Sequence, residues 1–342
     1  MSVWTDWDPL QDIIVTDCYT GNLNLPLEGS ALKDFNTILH ETKDDLDNLS
    51  NYLTKLGVNV HRPKFKHPQT PIVPARDQYL VYGDTIYQNY TSIKDRYNDA
   101  ANYYEVFKNF FHRFNYNWIS QPPPVNIDIE ENDTKWWKEG PRIYKYLEDQ
   151  ILWHAATMFK CGDAVILNSQ GPGTQSGLEW MIRNLPEGTR VFDNKASIWR
   201  NWGHIDHGFF MTDDETVFCK SIDWVPPCLR DKNLIQFSSK HDLDKNAYTL
   251  MESHLDNPTE WVKRYVEKWT GYEQAVHFHT NALVVDSENV LFSTEVPELF
   301  DAMDNLNIRC HAVSQRHSGF WEGGIHCMTN DLKRNGNKRK II

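Results

Sequence analysis

A helix that ends at a turn and leads into a short apolar strand recurs three times along this chain. Leu46, Leu49, Leu53 and Leu56 stand at helical spacing and pass through Gly57 into Val58-Asn59-Val60. Gly177-Leu178-Glu179-Trp180-Met181-Ile182 opens a second helix, which closes at Pro186-Glu187-Gly188 before Arg190-Val191-Phe192. The third runs from Pro297-Glu298-Leu299-Phe300 through Met303 and Leu306 into Ile308 to Val313. In each, a period of 3.6 gives way to a β run at turn residues. Hairpin patterns alternate with these units: Tyr79 to Tyr87 around Gly83-Asp84, Phe209-Phe210-Met211 with Thr216-Val217-Phe218, and Leu283-Val284-Val285 with Val290-Leu291-Phe292. With the runs Ile13-Ile14-Val15 and Ala164-Val165-Ile166-Leu167, about five β-rich units span the sequence. This pattern predicts repeated α/β modules around a shared centre; one mixed sheet is the competing arrangement.

The 342 residues are 40% hydrophobic, enough for a sizeable core, and are read as a single domain over 1–342. The proline-rich, acidic stretch from Gln121 to Asp133 is a surface connection within it. A net charge of -12 opposes nucleic-acid binding and suits a cationic small molecule. No run is long and apolar enough to span a membrane, and the opening residues do not form a signal peptide, so a cytoplasmic protein is expected. The six cysteines are dispersed without a Cys-x-x-Cys pair, which points to reduced thiols rather than a disulfide framework or a zinc knuckle. The basic tail Lys333 to Lys340 reads as a solvated end.

Chemistry-bearing residues gather in three places. In Gly323-Gly324-Ile325-His326-Cys327-Met328-Thr329, two glycines allow the backbone to approach a cysteine closely. In Asn201-Trp202-Gly203-His204-Ile205-Asp206-His207, an extended backbone would put His204 and Asp206 on one face. Asp77, after Pro74-Ala75-Arg76, and Asp163, before Ala164-Val165-Ile166-Leu167, stand on the approach to β runs. Asp163 beside so apolar a run needs a partner, for which histidine is suited, whereas for Asp77 a salt bridge to Arg76 is the competing reading. The bland alternatives are a buried cysteine after a turn and polar residues at a surface turn.

Together these segments resemble the glycine and inosamine-phosphate amidinotransferases, in the pentein superfamily that also contains arginine and agmatine deiminases. The resemblance opens at Trp7-Asp8-Pro9-Leu10 and Ile13-Ile14-Val15, returns at Pro74 to Asp77 and Gly177 to Met181, and is strongest at Asn201 to Asp206 and Gly323 to Thr329, followed by Asp331 and Arg334. It implies an α/β, five-bladed propeller of ββαβ modules with a central active site. It also implies that Cys327 is the nucleophile, His204 the general acid and base, and Asp163 the carboxylate orienting the histidine. Asp77 and Asp206 would grip a guanidinium, and Asn201 matches a pocket asparagine of the glycine-specific branch. The arginine and serine that hold the donor carboxylate in glycine amidinotransferases have no evident counterpart: the position counted from His204 is Asp223, and Arg230 and Gln274 are the substitutes considered.

The reaction so implied moves the amidino group of arginine, by way of Cys327, to glycine or another small primary amine and releases ornithine. No cofactor or metal is required, the partners are small molecules, and a homodimer is allowed. Three alternatives compete: a deiminase-like hydrolase using the same residues, a metal enzyme built on His204, Asp206, His207, His277 and His279, and a non-catalytic binder using the Gly171–Gly177 loop, for whose helix Ser176 is the expected cap.

Overall fold

The computed structural model describes residues 2–21, 27–65, 74–90, 99–124, 150–169, 173–194, 204–237, 258–267, 279–321 and 323–342. Its fifteen strands form five three-stranded sheets. The first contains β1 (Leu10–Val15), β2 (Asn59–His61) and β15 (Thr329–Arg334); the second β3 (Tyr79–Tyr82), β4 (Thr85–Gln88) and β5 (Asn117–Ser120). The third contains β6 (Met158–Cys161), β7 (Ala164–Leu167) and β8 (Arg190–Asp193); the fourth β9 (Phe209–Met211), β10 (Thr216–Cys219) and β11 (Asn233–Gln236). The fifth contains β12 (Leu283–Asp286), β13 (Asn289–Phe292) and β14 (Arg309–Ala312).

Every sheet has the same connectivity, with an antiparallel pair and a third strand parallel to the central one. A parallel return needs a crossover. Helices supply it in four sheets: α1 (Gly29–Lys55) between β1 and β2, α2 (Asp99–Phe114) between β4 and β5, α3 (Gln175–Asn184) between β7 and β8, and α5 (Pro297–Asp304) between β13 and β14. Before α5, α4 (Pro258–Glu267) packs on α1, and after β14 the short α6 (Ser318–Trp321) leads towards β15. In the fourth sheet two 3₁₀ turns, Ile222–Trp224 and Pro227–Leu229, replace the crossover helix. Pro226 and Pro227 lack the N–H groups that a helix there would need. The ββαβ repeat expected from the sequence is therefore present, with this one substitution.

The hairpin turns explain a residue that the sequence reading misassigned. β3–β4 and β6–β7 are joined by Gly83-Asp84 and Gly162-Asp163, with φ of +61° and +69° at the glycines. A Cβ on Gly162 would also collide with the Arg339 carbonyl oxygen. Asp163 is thus the counterpart of Asp84 in a hairpin turn. Its carboxylate pairs with Arg190, 34% exposed, at the end of the sheet away from the residues that enter β6.

The core follows the helical and strand faces. Phe35, Leu39, Leu46, Leu49 and Leu53 of α1 are buried against Ile13 and Val15 of β1 and Leu283 and Val285 of β12. Each such side chain contributes about 1.5–3 kcal/mol when fully buried. The α3 cap is Thr174, whose Oγ1 accepts from the Gly177 N–H at 3.0 Å, and not Ser176. The basic tail is docked at two arginines, while Lys338 and Lys340 are exposed as expected of a solvated end. Arg334 is buried on Asp331, and Arg339 pairs with Asp8 and Asp214. Asp8 and Asp214 come from distant parts of the chain, so local composition did not reveal them. No helix among the described residues is long and apolar enough to cross a membrane.

Candidate active site

The repeated fold brings one loop from each module to the centre. The residue two places before the first strand of each hairpin is Asp77 for β3, Ala156 for β6, His207 for β9, Asn281 for β12 and Cys327 for β15. Three of these carry polar chemistry to Cys327 or its neighbours. His154, His204 and Asp206 come from the same entry segments, slightly earlier.

Cys327 is 2% exposed. Asn281 Nδ2 donates to its Sγ at 3.2 Å, and the Cys327 N–H donates to Asn281 Oδ1 at 3.1 Å. The thiol donates to Asp206 Oδ2 at 3.5 Å and lies 3.8 Å from His207 Nε2. Asp206 Oδ2 also accepts from Asn281 Nδ2 at 2.8 Å and pairs with His326 Nδ1 at 2.7 Å. The glycine pair has the close-approach role expected of it. A Cβ on Gly324 would sit 2.8 Å from Asn281 Oδ1, and one on Gly323 would sit 3.0 Å from the Cys327 Cβ.

His204 and Asp206 share the site, but through a different backbone from the one expected. Residues Ile205–His207 form a 3₁₀ turn rather than a strand. Three residues per turn put positions i and i+3 on one side. His204 and His207 consequently lie together, with ring centroids 5.8 Å apart, and His207 joins the site. Donor atoms of His204, Asp206, His207 and Cys327 all fall within 4.8 Å of one another.

Asp77 is 1% exposed and lies 4.0 Å from His154 Nε2. The expected alternative, a salt bridge to Arg76, is not made. Arg76 instead reaches Asp331 at 3.1 Å and Asp6 at 3.5 Å and donates to the His326 carbonyl at 2.9 Å. Lys160 completes this buried network, 2.9 Å from Asp6 and 3.1 Å from Asp331. The network anchors the loop that carries His326 and Cys327.

The orienting role expected of Asp163 does not fit its position, since its carboxylate is taken by Arg190. The ring against His204 is that of His154, stacked at 4.8 Å and 24°. Arg230 donates to the Val225 carbonyl at 3.0 Å, closing its own 3₁₀ turn, and does not enter the group around Cys327. Asn201, Gln274 and His277 lie outside the described residues. Sequence reasoning missed Asn281, His154 and the role of His326. The available signal for Asn281 was its place two residues before an apolar strand, matching Asp77 and Cys327.

Electrostatics set the resting state. Burial pushes the Cys327 thiol well above its usual range, and the negative charges of Asp206 and Asp77 push it the same way, against the Asn281 N–H. For Asp206, burial opposes ionisation, yet the His326 hydrogen bond and the surrounding imidazoles hold its carboxyl well below the usual range. Burial pushes His207 down to about 4, with Asp206 opposing. Burial and then the Arg76 charge also lower His326. The site therefore combines a protonated thiol at Cys327, an ionised carboxylate at Asp206 and neutral imidazoles at His207 and His326. A cation placed against Asp206 and Asp77 would cancel the charges that keep the thiol protonated.

Known proteins share this arrangement of the chain. No protein-family model matches it. An inosamine-phosphate amidinotransferase from Streptomyces glaucescens is 21% identical, the match covering 98% of this chain and 97% of the relative. The mitochondrial glycine amidinotransferase of Gallus gallus is 20% identical over 97% of this chain and 82% of that protein. The solved inosamine-phosphate amidinotransferase of Streptomyces griseus superposes with a TM-score of 0.73 at 18% identity, covering 99% of this chain and 98% of its own. The chain shares the amidinotransferase fold. An amidinotransferase of the saxitoxin biosynthetic pathway from Microseira wollei also has this fold, with a TM-score of 0.73, 17% identity, and coverage of 100% and 99%. The architecture extends to hydrolases: a dimethylarginine dimethylaminohydrolase superposes with a TM-score of 0.56 at 13% identity, over 94% of this chain and 99% of its own. This amidinotransferase-like, pentein fold is the one expected from the sequence motifs.

Proposed function

We propose that this protein transfers the amidino group of L-arginine, through a covalent amidino-Cys327 intermediate, to a small primary amine such as glycine, releasing ornithine. The observation that carries this reading is the convergence of Cys327, Asp206 and His204 within 4.8 Å from two separate loops, with Asp77 and His154 grouped with His204 in the same way. Matches to amidinotransferases over nearly the whole chain support it.

The guanidinium of arginine resists nucleophiles while its charge is delocalised. Asp206 and Asp77 hold that charge and fix the carbon next to Cys327 Sγ. Binding of the cation lowers the thiol pKa, the Cys327 proton passes to His204, and the thiolate attacks the guanidinium carbon. His204 gives a proton to the departing nitrogen, the carbon–nitrogen bond breaks, and ornithine leaves with the amidino group on sulfur. An acceptor amine then loses a proton to His204 and attacks the same carbon, the carbon–sulfur bond breaks, and the departing thiolate takes that proton from His204 to restore the thiol. His154 takes the positioning role that sequence had given to Asp163, holding the His204 ring by stacking.

Hydrolysis is the second reading, favoured by the dimethylarginine dimethylaminohydrolase and by an arginine dihydrolase domain of TM-score 0.60 and 12% identity. Incubation with arginine, with and without amines, separates the two. Ornithine and a guanidino product that appear only with an amine support transfer, whereas citrulline and ammonia formed without one establish hydrolysis.

A further inference from the structure

His207 is not used by the transfer chemistry, yet it points a ring nitrogen at the nucleophile. Its Nε2 lies 3.8 Å from Cys327 Sγ and 3.8 Å from Asp206 Oδ1, while Sγ lies 3.5 Å from Asp206 Oδ2. Zinc bonds of about 2.0–2.2 Å to nitrogen or oxygen and about 2.3 Å to sulfur put neighbouring donors of a tetrahedron roughly 3.3–3.7 Å apart. The two separations from His207 Nε2, to Cys327 Sγ and to Asp206 Oδ1, lie within a few tenths of an ångström of that edge. With His204, the set consists of two imidazoles, one carboxylate and one thiol, all within 4.8 Å.

The chemistry of the donors is selective. Thiol and imidazole ligands favour zinc and similar borderline ions over magnesium or calcium, which require oxygen shells. The donors are also held in place from behind. His326 and Asn281 fix Asp206 through Oδ2, leaving Oδ1 without a hydrogen bond among the described residues. Thr280 Oγ1 donates to the His207 carbonyl at 2.6 Å and steadies its turn. Such outer contacts orient ligands in metal sites. Asp77, His154 and His204 form a second close group, but it lacks a thiol and shares His204 with the first.

We propose that His204, Asp206, His207 and Cys327 bind one divalent transition-metal ion of the zinc type, and that this ion reversibly occludes the catalytic centre. On binding, the Cys327 S–H bond breaks, a sulfur–metal bond forms and the proton passes to solvent, with no change of oxidation state. Binding stands independently of the transfer reading; its inhibitory effect rests on that reading, because Asp206 and Cys327 cannot serve the ion and arginine together.

Cobalt(II) added to the metal-free full-length protein provides the spectroscopic test, and zinc calorimetry the affinity. The expected result is one ion per chain, with tetrahedral visible bands and a near-ultraviolet thiolate-to-cobalt band. Cys327→Ser removes the near-ultraviolet band, and both His207→Ala and the milder His207→Asn weaken zinc binding at least tenfold. Zinc then inhibits turnover competitively with arginine, and a chelator restores it. The proposal is overturned if no stoichiometric ion binds, if the near-ultraviolet band persists in Cys327→Ser, or if both His207 variants bind zinc as tightly as the parent. Cobalt binding with no turnover of arginine would instead refute only the transfer reading.

Discussion

Asn281 and Cys327 hold each other reciprocally: the amide nitrogen donates to Sγ at 3.2 Å while the amide oxygen accepts from the Cys327 N–H at 3.1 Å. One side chain thus fixes both the backbone and the sulfur of Cys327. Asn281→Ala removes both bonds and leaves the buried thiol free to choose another rotamer. A drop in kcat of at least ten-fold, with a smaller change in KM, is expected in steady-state assays.

Gly324→Ala attacks the same contact from the other side. Its methyl would stand 2.8 Å from Asn281 Oδ1 inside a packed region. Overpacking of this kind costs typically about 1–3 kcal/mol. Thermal melts should show lowered stability, and the folded fraction should still transfer amidino groups more slowly than the parent.

Asp163 is paired with Arg190 whereas His154 is stacked on His204, and mutation distinguishes the two. Asp163→Asn removes a partly exposed pair with Arg190, worth about 0–1 kcal/mol, and should leave turnover unchanged. His154→Ala removes the ring stacked on His204 and should lower kcat. A large activity loss in Asp163→Asn would restore the carboxylate to the catalytic group.

His207 makes stability depend on acid. Its folded-state pKa lies near 4, below its ordinary 6.5, because burial disfavours the imidazolium. Between these values the unfolded chain takes up a proton that the folded chain refuses, so its contribution is present above pH 6.5 and lost as pH falls towards 4. A shift of this size corresponds to about 3 kcal/mol. Urea denaturation from pH 7 down should show a smaller acid loss in His207→Gln than in the parent, with His326, lowered in the same direction, supplying part of the remainder.

Lys160 tests the buried ionic network. It is 1% exposed between Asp6 and Asp331, so Lys160→Met leaves both carboxylates short of a cation. Breaking a buried pair costs about 3–5 kcal/mol. The midpoint of chemical denaturation should fall accordingly.

The hairpins were legible in the sequence because strong apolar runs flank recognisable turns, and those same runs mark the five sheets. The central residues Cys327, His204, Asp206 and Asp77 were legible through motif resemblance. What escaped depended on backbone detail or on distant partners. A strand reading of residues 204–207 pairs positions two apart, whereas the 3₁₀ turn pairs those three apart and adds His207. Asp163 beside β7 looks like a site acid until its turn is seen to match Gly83-Asp84. The tail looks soluble until Asp8 and Asp214 arrive from elsewhere in the chain to meet Arg339. Asn281 is marked locally only by its place two residues before an apolar strand, which does not reveal its bond to a thiol 46 positions away.

β15 closes the first sheet against β1, and Cys327 stands two residues before β15 begins. The seam that joins Leu10–Val15 to Thr329–Arg334 therefore also sets where the sulfur lies. A substitution that loosens this seam, far from any loop of the centre, displaces the thiol relative to the carboxylates and imidazoles that the other sheets supply.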